Sequence, residues 1–497
     1  MQEKRTDDYG HVLKYTSLFG GVQGLIILIG LVRNKFMAVL LGAGGMGLNA
    51  LLVSVQNFSQ QITGLGISFG AVPRLSEFYE QQRLLDYHIR VIRLWSLIAA
   101  VLGFVFCVLV SPLMNEASFT WGNHTLHYAM LGLSVAMIAV TSGETAILKA
   151  TRRLGSLARI QITSALFGLT ISLPLYYYLD HSGVVPVIVA ISLGTMVATL
   201  YYSWRYYPLR LQLRRQMLSD GSDMVRLGVA FVLAAAAGSA AEMLIRFFLN
   251  VEGGLGDVGL YNAGFMITIT YAGIVFSAMD SDYFPRLSAV RQDIAKTNET
   301  VNKQTEVSLL LLAPMLVALI MLLPILIPLL FSSEFLPVVG MAQVAVLAMY
   351  FKVLALPVAY VTLARRASLI YLLLEVTYFV VLVAAVVAGY RWWGLWGTGL
   401  AVVIAHAVEF LTVNGVAYWR FGFRSTVQVY RYALVQTVIG LGAYSLTLFA
   451  EGLHYWIAEA ALTFISTAYS VAVLRQKTHL WEALRRKFPT MRLKEIK

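Results

Sequence analysis

Long apolar stretches alternate along the chain with short polar segments. A helix that crosses a bilayer needs about 20 mostly apolar residues, because the hydrocarbon core is about 30 Å thick and each residue rises about 1.5 Å. Fourteen windows satisfy this length, near 12–32, 48–72, 91–114, 126–148, 157–179, 184–204, 225–249, 259–284, 307–331, 337–363, 367–389, 394–419, 430–450 and 453–474. The first window does not read as a secretory leader. Mixed charges (Glu3, Lys4, Arg5, Asp7, Asp8) precede it, and no small-residue cleavage site follows. The connecting segments are all short, so none is expected to fold as a soluble domain. The pattern predicts an all-α polytopic membrane protein with 14 transmembrane helices.

Composition agrees with the pattern. Of 497 residues, 58% are hydrophobic and 13% charged, and mean hydropathy is +0.71. A soluble domain carries about 25% charged residues, and so few charges cannot tile a water-facing surface. The single cysteine, Cys107, excludes an intramolecular disulfide and any cysteine-held metal cluster within one chain. No cofactor and no metal is expected. Net charge is +12, and its distribution explains it. With the N-terminus in the cytoplasm, 33 Lys and Arg fall inside and 4 outside (Arg33, Lys35, Arg246, Arg391), with Lys352 within a span. A span count wrong by one would swap every later loop. The charge is therefore a cytoplasmic collar that sets topology. It places both termini inside and is not a surface for nucleic acid.

One internal repeat stands out. Shifting the numbering by 212 carries Gly42, Gly44, Gly47 and Leu48 onto Gly254, Gly256, Gly259 and Leu260. The same shift carries Pro73-Arg74-Leu75-Ser76 onto Pro285-Arg286-Leu287-Ser288, and Pro112 onto Pro324. Span 1 then corresponds to span 7 and span 2 to span 8. Six spans separate them, so the copies are parallel. The expected organisation is two six-helix bundles, 1–208 and 222–420, then spans 13 and 14 (430–474) outside the repeat, then a basic cytoplasmic tail, 475–497.

With these features the sequence resembles the polysaccharide transporter branch of the multidrug/oligosaccharidyl-lipid/polysaccharide exporter superfamily. The stretch Gly259-Leu260-Tyr261-Asn262-Ala263, followed by a span ending Phe284-Pro285-Arg286-Leu287-Ser288, is similar to a pattern of O-antigen and other lipid-linked oligosaccharide flippases, with one residue fewer before the alanine. The resemblance spans the whole chain in topology, and in motif the stretch from Gly259 to Ser288. It implies a V-shaped pair of bundles around a central cavity, working by alternating access. The implied cargo is an isoprenoid-pyrophosphate-linked glycan moved across a bacterial inner membrane. The implied partners are membrane lipids and the glycan polymerase and glycosyltransferases of the same pathway.

Charges inside spans need a reason, since each costs a few kcal/mol at mid-membrane. Arg33 and Lys35 lie near the outer end of span 1, and Arg246 near that of span 7; Asn34 and Arg246 are equivalent under the 212 shift. With Lys352 in span 10, they are the candidates for a cationic substrate site, because a guanidinium fork matches phosphate oxygens. Snorkelling to the interface is the competing reading. Glu242 stands one turn before Arg246 and can neutralise it. Glu242, Glu375 and Glu409 are candidate ion-coupling carboxylates, with His406 one turn before Glu409. They can equally serve as counter-ions, as can Glu144. Asp280 and Asp282 read as solvated. In span 2, Gln56, Asn57 and Gln60 form a polar stripe able to line the cavity or to bond helix to helix.

Three alternatives remain. A lipid II flippase shares the cationic logic. A cation-coupled multidrug exporter would want acids and aromatics in its cavity. A membrane-embedded glycan polymerase would want a catalytic group in a sizeable outer loop, and the outer loops are short. No Walker A sequence is present, so ATP hydrolysis within the chain is not expected.

Overall fold

The computed structural model describes residues 2–118, 122–210 and 215–477, and no strand occurs among them. The α-helices are α1 (Gln2–Thr63), α2 (Ile67–Glu77), α3 (Gln82–Ser118), α4 (Thr125–Ala150), α5 (Leu154–Leu179), α6 (Val184–Tyr206), α7 (Arg215–Val290), α8 (Ile294–Leu330), α9 (Val339–Ala364), α10 (Ser368–Phe421), α11 (Val427–Phe449) and α12 (Gly452–Lys477). Ten helical stretches among the described residues are long and apolar enough to cross a membrane, and the chain is a multi-pass membrane protein. The basic tail beyond Lys477 lies outside the described residues, as do the side chains of Asp280 and Asp282.

The described helices do not divide into the fourteen expected ones, because α1, α7 and α10 each run two predicted spans together. The connecting turns are very tight. Gly42 (φ 64°, ψ −167°) interrupts α1, Gly254 (φ 84°, ψ 177°) interrupts α7, and Trp393 with Gly394 (φ 59°, ψ −145°) interrupts α10. The conformation at Gly42 and Gly254 is one that essentially only glycine adopts. Two contacts show the chain reversing. Arg246 and Asn262 are hydrogen-bonded at 3.1 Å, whereas straight helix would separate them by about 24 Å. A Cβ on Gly389 would stand 2.4 Å from the Gly397 carbonyl oxygen, across what straight helix would make about 12 Å.

Other turns also recur along the chain. Between α4 and α5, Arg152 has φ 56°, and between α9 and α10, Arg366 has φ 58°. Around the first, Arg152 N–H donates to the Lys149 carbonyl and Arg153 N–H to that of Leu148. Around the second, Arg366 N–H donates to the Leu363 carbonyl and Ala367 N–H to that of Thr362. The bonding at Arg152 is thus repeated at Arg366.

The chain forms two compact units, Met1–Ala263 with Ile327–Pro337, and Gly264–Leu326 with Val338–Lys497. In the first, α2, α3 and α4 share a core of Ile67, Ala71, Leu75, Leu85, Ile89, Ile92 and Ile147. The two limb-joining turns also meet there. A Cβ on Gly47 would lie 1.9 Å from the Leu255 carbonyl oxygen, and one on Gly259 would lie 1.9 Å from that of Ala43. The repeat shift carries each half of this contact onto the other. In the second unit, α9 is buried along most of its length, which explains its lack of an amphipathic stripe. Tyr283 donates to the Pro357 carbonyl at 2.6 Å within a core that includes Leu287, Val358 and Val413. Large apolar side chains such as Leu109, Leu113, Leu411 and Phe464 point outward, as a lipid-facing surface requires.

Candidate functional site

Within the first unit, α1, α4, α5 and α6 line an open cavity of about 530 Å³. Its apolar floor includes Ile26, Ile29, Leu157, Ile160 and Ile191. Its polar lining is Gln23 and Arg33 from α1, Thr141, Thr145 and Lys149 from α4, Gln161 and Ser164 from α5, and Thr195 and Thr199 from α6. Both charged groups in the lining are cations, and no acid is found in it among the described residues. Arg33 reaches across to α5, where a guanidinium nitrogen lies 3.8 Å from the position a Cβ on Gly168 would take. A larger side chain at 168 would crowd it. The Ser164 hydroxyl is buried and has no partner among the described residues. A cavity of this charge, with neutral donors around it, can hold an anion with several acceptor oxygens.

The nearest acid in sequence, Glu144, is committed elsewhere. Arg93 on α3 donates to it from Nε (2.7 Å) and Nη2 (3.1 Å), and Ser203 and Trp204 of α6 donate at 2.6 and 3.1 Å. Arg93 also donates to the carbonyls of Tyr207 and Pro208. Glu144 is thus the counter-ion of Arg93.

The other sequence candidates in this unit lie apart from the cavity lining. Lys35 donates to the Pro328 carbonyl at 3.0 Å. Arg246 is buried and donates to the Glu242 carbonyl and carboxylate, each at 3.1 Å, and to Asn262. Glu242 is therefore its ion-pair partner, and the arginine bridges the two limbs of α7. On the second limb of α1, Gln56 is buried with an unpartnered amide oxygen, Gln60 is half-buried and Asn57 is exposed. Lys149 was missed by sequence reasoning, which placed it in the cytoplasmic collar. Its one available signal was its position on the α4 face that also carries Thr145 and Thr141, one and two turns before it.

The second unit gathers the remaining candidates. His406 Nδ1 lies 2.6 Å from the Glu409 carboxylate, and its Nε2 lies 3.2 Å from the Tyr378 hydroxyl. With Glu409 ionised, Nδ1 donates and Nε2 accepts from tyrosine. Glu375 stands close enough to Tyr371, Glu409 and Lys352 to feel each of them electrostatically. The Lys352 ammonium lies 5.8 Å from the centre of the Phe276 ring, in cation–π range. Two carboxyls, one ammonium and one imidazole on α9 and α10 thus lie in one neighbourhood of the second unit. Among the described residues, no set of His, Cys, Asp and Glu has the geometry to hold a metal.

The sequence matches the family described as polysaccharide biosynthesis protein over residues 36–340. No curated protein matches it in sequence. Solved structures do resemble it. Lipid II flippase MurJ, in an inward closed conformation, is 13% identical, with a TM-score of 0.73 over 92% of this chain and 99% of that one. An inward-facing multidrug resistance MATE family transporter of the MOP superfamily is 15% identical, with a TM-score of 0.64 over 86% of this chain and 96% of that one. An outward-facing MATE family transporter is 15% identical, with a TM-score of 0.56 over 85% and 93%. At these identities the likeness concerns the fold. With the family match covering more than half of its length, this chain belongs to the polysaccharide biosynthesis protein family, and its fold is that of these solved structures.

Proposed function

We propose that this chain is a flippase, not an enzyme, that moves an isoprenoid-pyrophosphate-linked oligosaccharide across a bacterial inner membrane by alternating access. The observation that carries the reading is the first unit's cavity, with Arg33 and Lys149 in its lining and no acid among the described residues there. Its volume, about 530 Å³, suits a headgroup rather than a whole oligosaccharide. Arg33 supplies a bidentate contact to phosphate, and the Thr, Ser and Gln side chains complete its acceptors. An exporter of organic cations would need acids in the same place.

The reading takes each reversal at Gly42, Gly254 and Gly394 as the turn between two spans. With the short α2 counted as the end of the second limb of α1, that makes fourteen, in two repeated six-helix bundles (1–208 and 222–420), with 430–474 apart and both termini cytoplasmic. The recurrence of the Gly42 turn at Gly254, and of the Arg152 turn at Arg366, supports this division. Ion coupling falls to Glu375 and Glu409 with His406 and Lys352, since Glu242 is occupied by Arg246. The enzymes that build and polymerise the glycan are its pathway partners.

The test is complementation of a strain lacking its oligosaccharide flippase. Arg33→Ala removes charge-assisted bonds worth about 1.5–3 kcal/mol each, so export should fall roughly ten- to a hundred-fold while the protein still accumulates. Wild-type export by Arg33→Ala and Lys149→Gln would show that the cavity is not the headgroup site. The lipid II reading, suggested by the likeness to MurJ, predicts instead rescue of a strain depleted of its lipid II flippase.

A further inference from the structure

In the second unit, α12 is seated by an unusual face. Its buried residues are Tyr455, Glu459, Ser466 and Ser470, which share one stripe at helical spacing. Its outward faces carry Leu453, Ile457, Phe464 and Val471. The helix is polar inward and apolar outward, as a lipid-facing helix held by hydrogen bonds should be.

Most of the stripe is satisfied. Gln436 of α11 donates to the Ser470 hydroxyl at 2.8 Å and accepts from that of Ser466 at 2.7 Å. Tyr455 donates to the Met321 carbonyl of α8 at 3.3 Å. Glu459 is the exception. It is 0% exposed, and neither carboxyl oxygen has a partner among the described residues. The Thr463 hydroxyl, one turn further on, is also buried and unpartnered.

Among the described residues no counter-ion is at hand. Beyond Glu306, α8 carries no charged residue, and Glu306 is itself held by Lys477. On α11 the one charged residue is Arg431, in the first turns. Arg475 on α12 is separated from it by about 24 Å of helix. The titratable neighbour is Tyr455. Of the α11 tyrosines, Tyr430 is half exposed, Tyr432 packs on Tyr469 and Lys477, and Tyr444 bonds Trp396. A bare carboxylate in such a place carries a large desolvation penalty, and a neutral acid a much smaller one.

We propose that Glu459 is a proton-binding site, occupied while α12 is seated, and that loss of the proton loosens α12 from α8 and α11. The site lies outside the Lys352, Glu375, His406 and Glu409 group and assumes nothing about the cargo. Its ligand is the proton, and its output is the seating of the last helix.

The test uses the full chain in lipid nanodiscs across a pH series. In infrared difference spectra of wild type against Glu459→Gln, a protonated-carboxyl carbonyl stretch should be present near neutral pH in the wild type alone, and should vanish as pH rises. Over the same rise, amides 455–470 should exchange faster in wild type than in Glu459→Gln by about tenfold or more; comparison at equal pH cancels the intrinsic rate. Should the variant fail to accumulate, wild type alone decides: a hydrophobic carbodiimide should label Glu459 near neutral pH and lose that labelling at high pH. No protonated band, or a band, exchange ratio and labelling that stay constant with pH, would overturn the proposal.

Discussion

The Arg93–Glu144 pair offers the most demanding test of the packing described for the first unit. Both side chains are deeply buried, at 5% and 4% exposure. Glu144→Leu would leave the guanidinium with the Tyr207 and Pro208 carbonyls and no opposing charge. Removing one member of a buried pair costs about 3–5 kcal/mol, because the other charge stays desolvated. At about 1.4 kcal/mol per factor of ten, the folded-to-unfolded ratio should fall by about two to three and a half powers of ten. Arg93→Met should be less severe, because Ser203 and Trp204 still donate to the carboxylate. The double variant removes both charges and leaves Ser203 and the two carbonyls near enough to the end of α6 to find water. It should therefore be considerably more stable than the sum of the single losses predicts, with a coupling of several kcal/mol. Denaturant unfolding in mixed micelles, followed by tryptophan fluorescence, measures all four proteins. Single losses below about 1 kcal/mol, or losses that add in the double variant, would refute the account of this network.

Other consequences can be checked alongside it. Gly42→Ala and Gly254→Ala both force alanine into a glycine-only conformation, at about 1–3 kcal/mol. A Cβ at 42 also stands 2.8 Å from the Glu334 carboxylate while that at 254 meets nothing, so thermal stability should fall further for Gly42→Ala; equal shifts would contradict this. Gly47→Ala and Gly259→Ala each drive a methyl into a carbonyl 1.9 Å away and should reduce folded yield alike, and two silent variants would undo the close approach described for these turns. At the start of α8, Asp293 accepts from the Lys296 N–H at 3.1 Å, and that bond holds its carboxyl below its ordinary range. Its capping is therefore complete above the unfolded carboxylate pKa and lost as pH falls through the lowered folded value. Amides 294–297 should exchange faster, relative to Asp293→Ala, only as acid is added; a ratio that stays flat on acidification would show that the cap does no work.

Spans and compositional class were legible because bilayer crossing is a local requirement: each stretch of about 20 residues must be apolar on its own account. The reversals at Gly42 and Gly254 were legible as turns between two spans with aligned glycines, but their tightness was not, since no local pattern states that a helix ends and restarts within one residue. The partner of Glu144 was not legible. Sequence offered Arg246 and Lys352; the partner is Arg93, on the preceding helix α3. Glu459 was overlooked inside a span, although a lone acid with no cation within one turn was the available signal.

The amino-acid sequence alone determined a chain of membrane-crossing helices, its repeat of glycine and Pro-Arg-Leu-Ser landmarks, and the near absence of charge between them, because those properties depend on neighbours along the chain. Only the tertiary structure decided which charges neutralise one another and which are left to face a cavity. Arg33, Lys35 and Arg246 look alike in sequence, yet one lines a cavity, one caps a carbonyl and one is tied to Glu242. Their difference lies in groups brought near by packing, and in a low-dielectric interior the nearest partner decides what a charge can do.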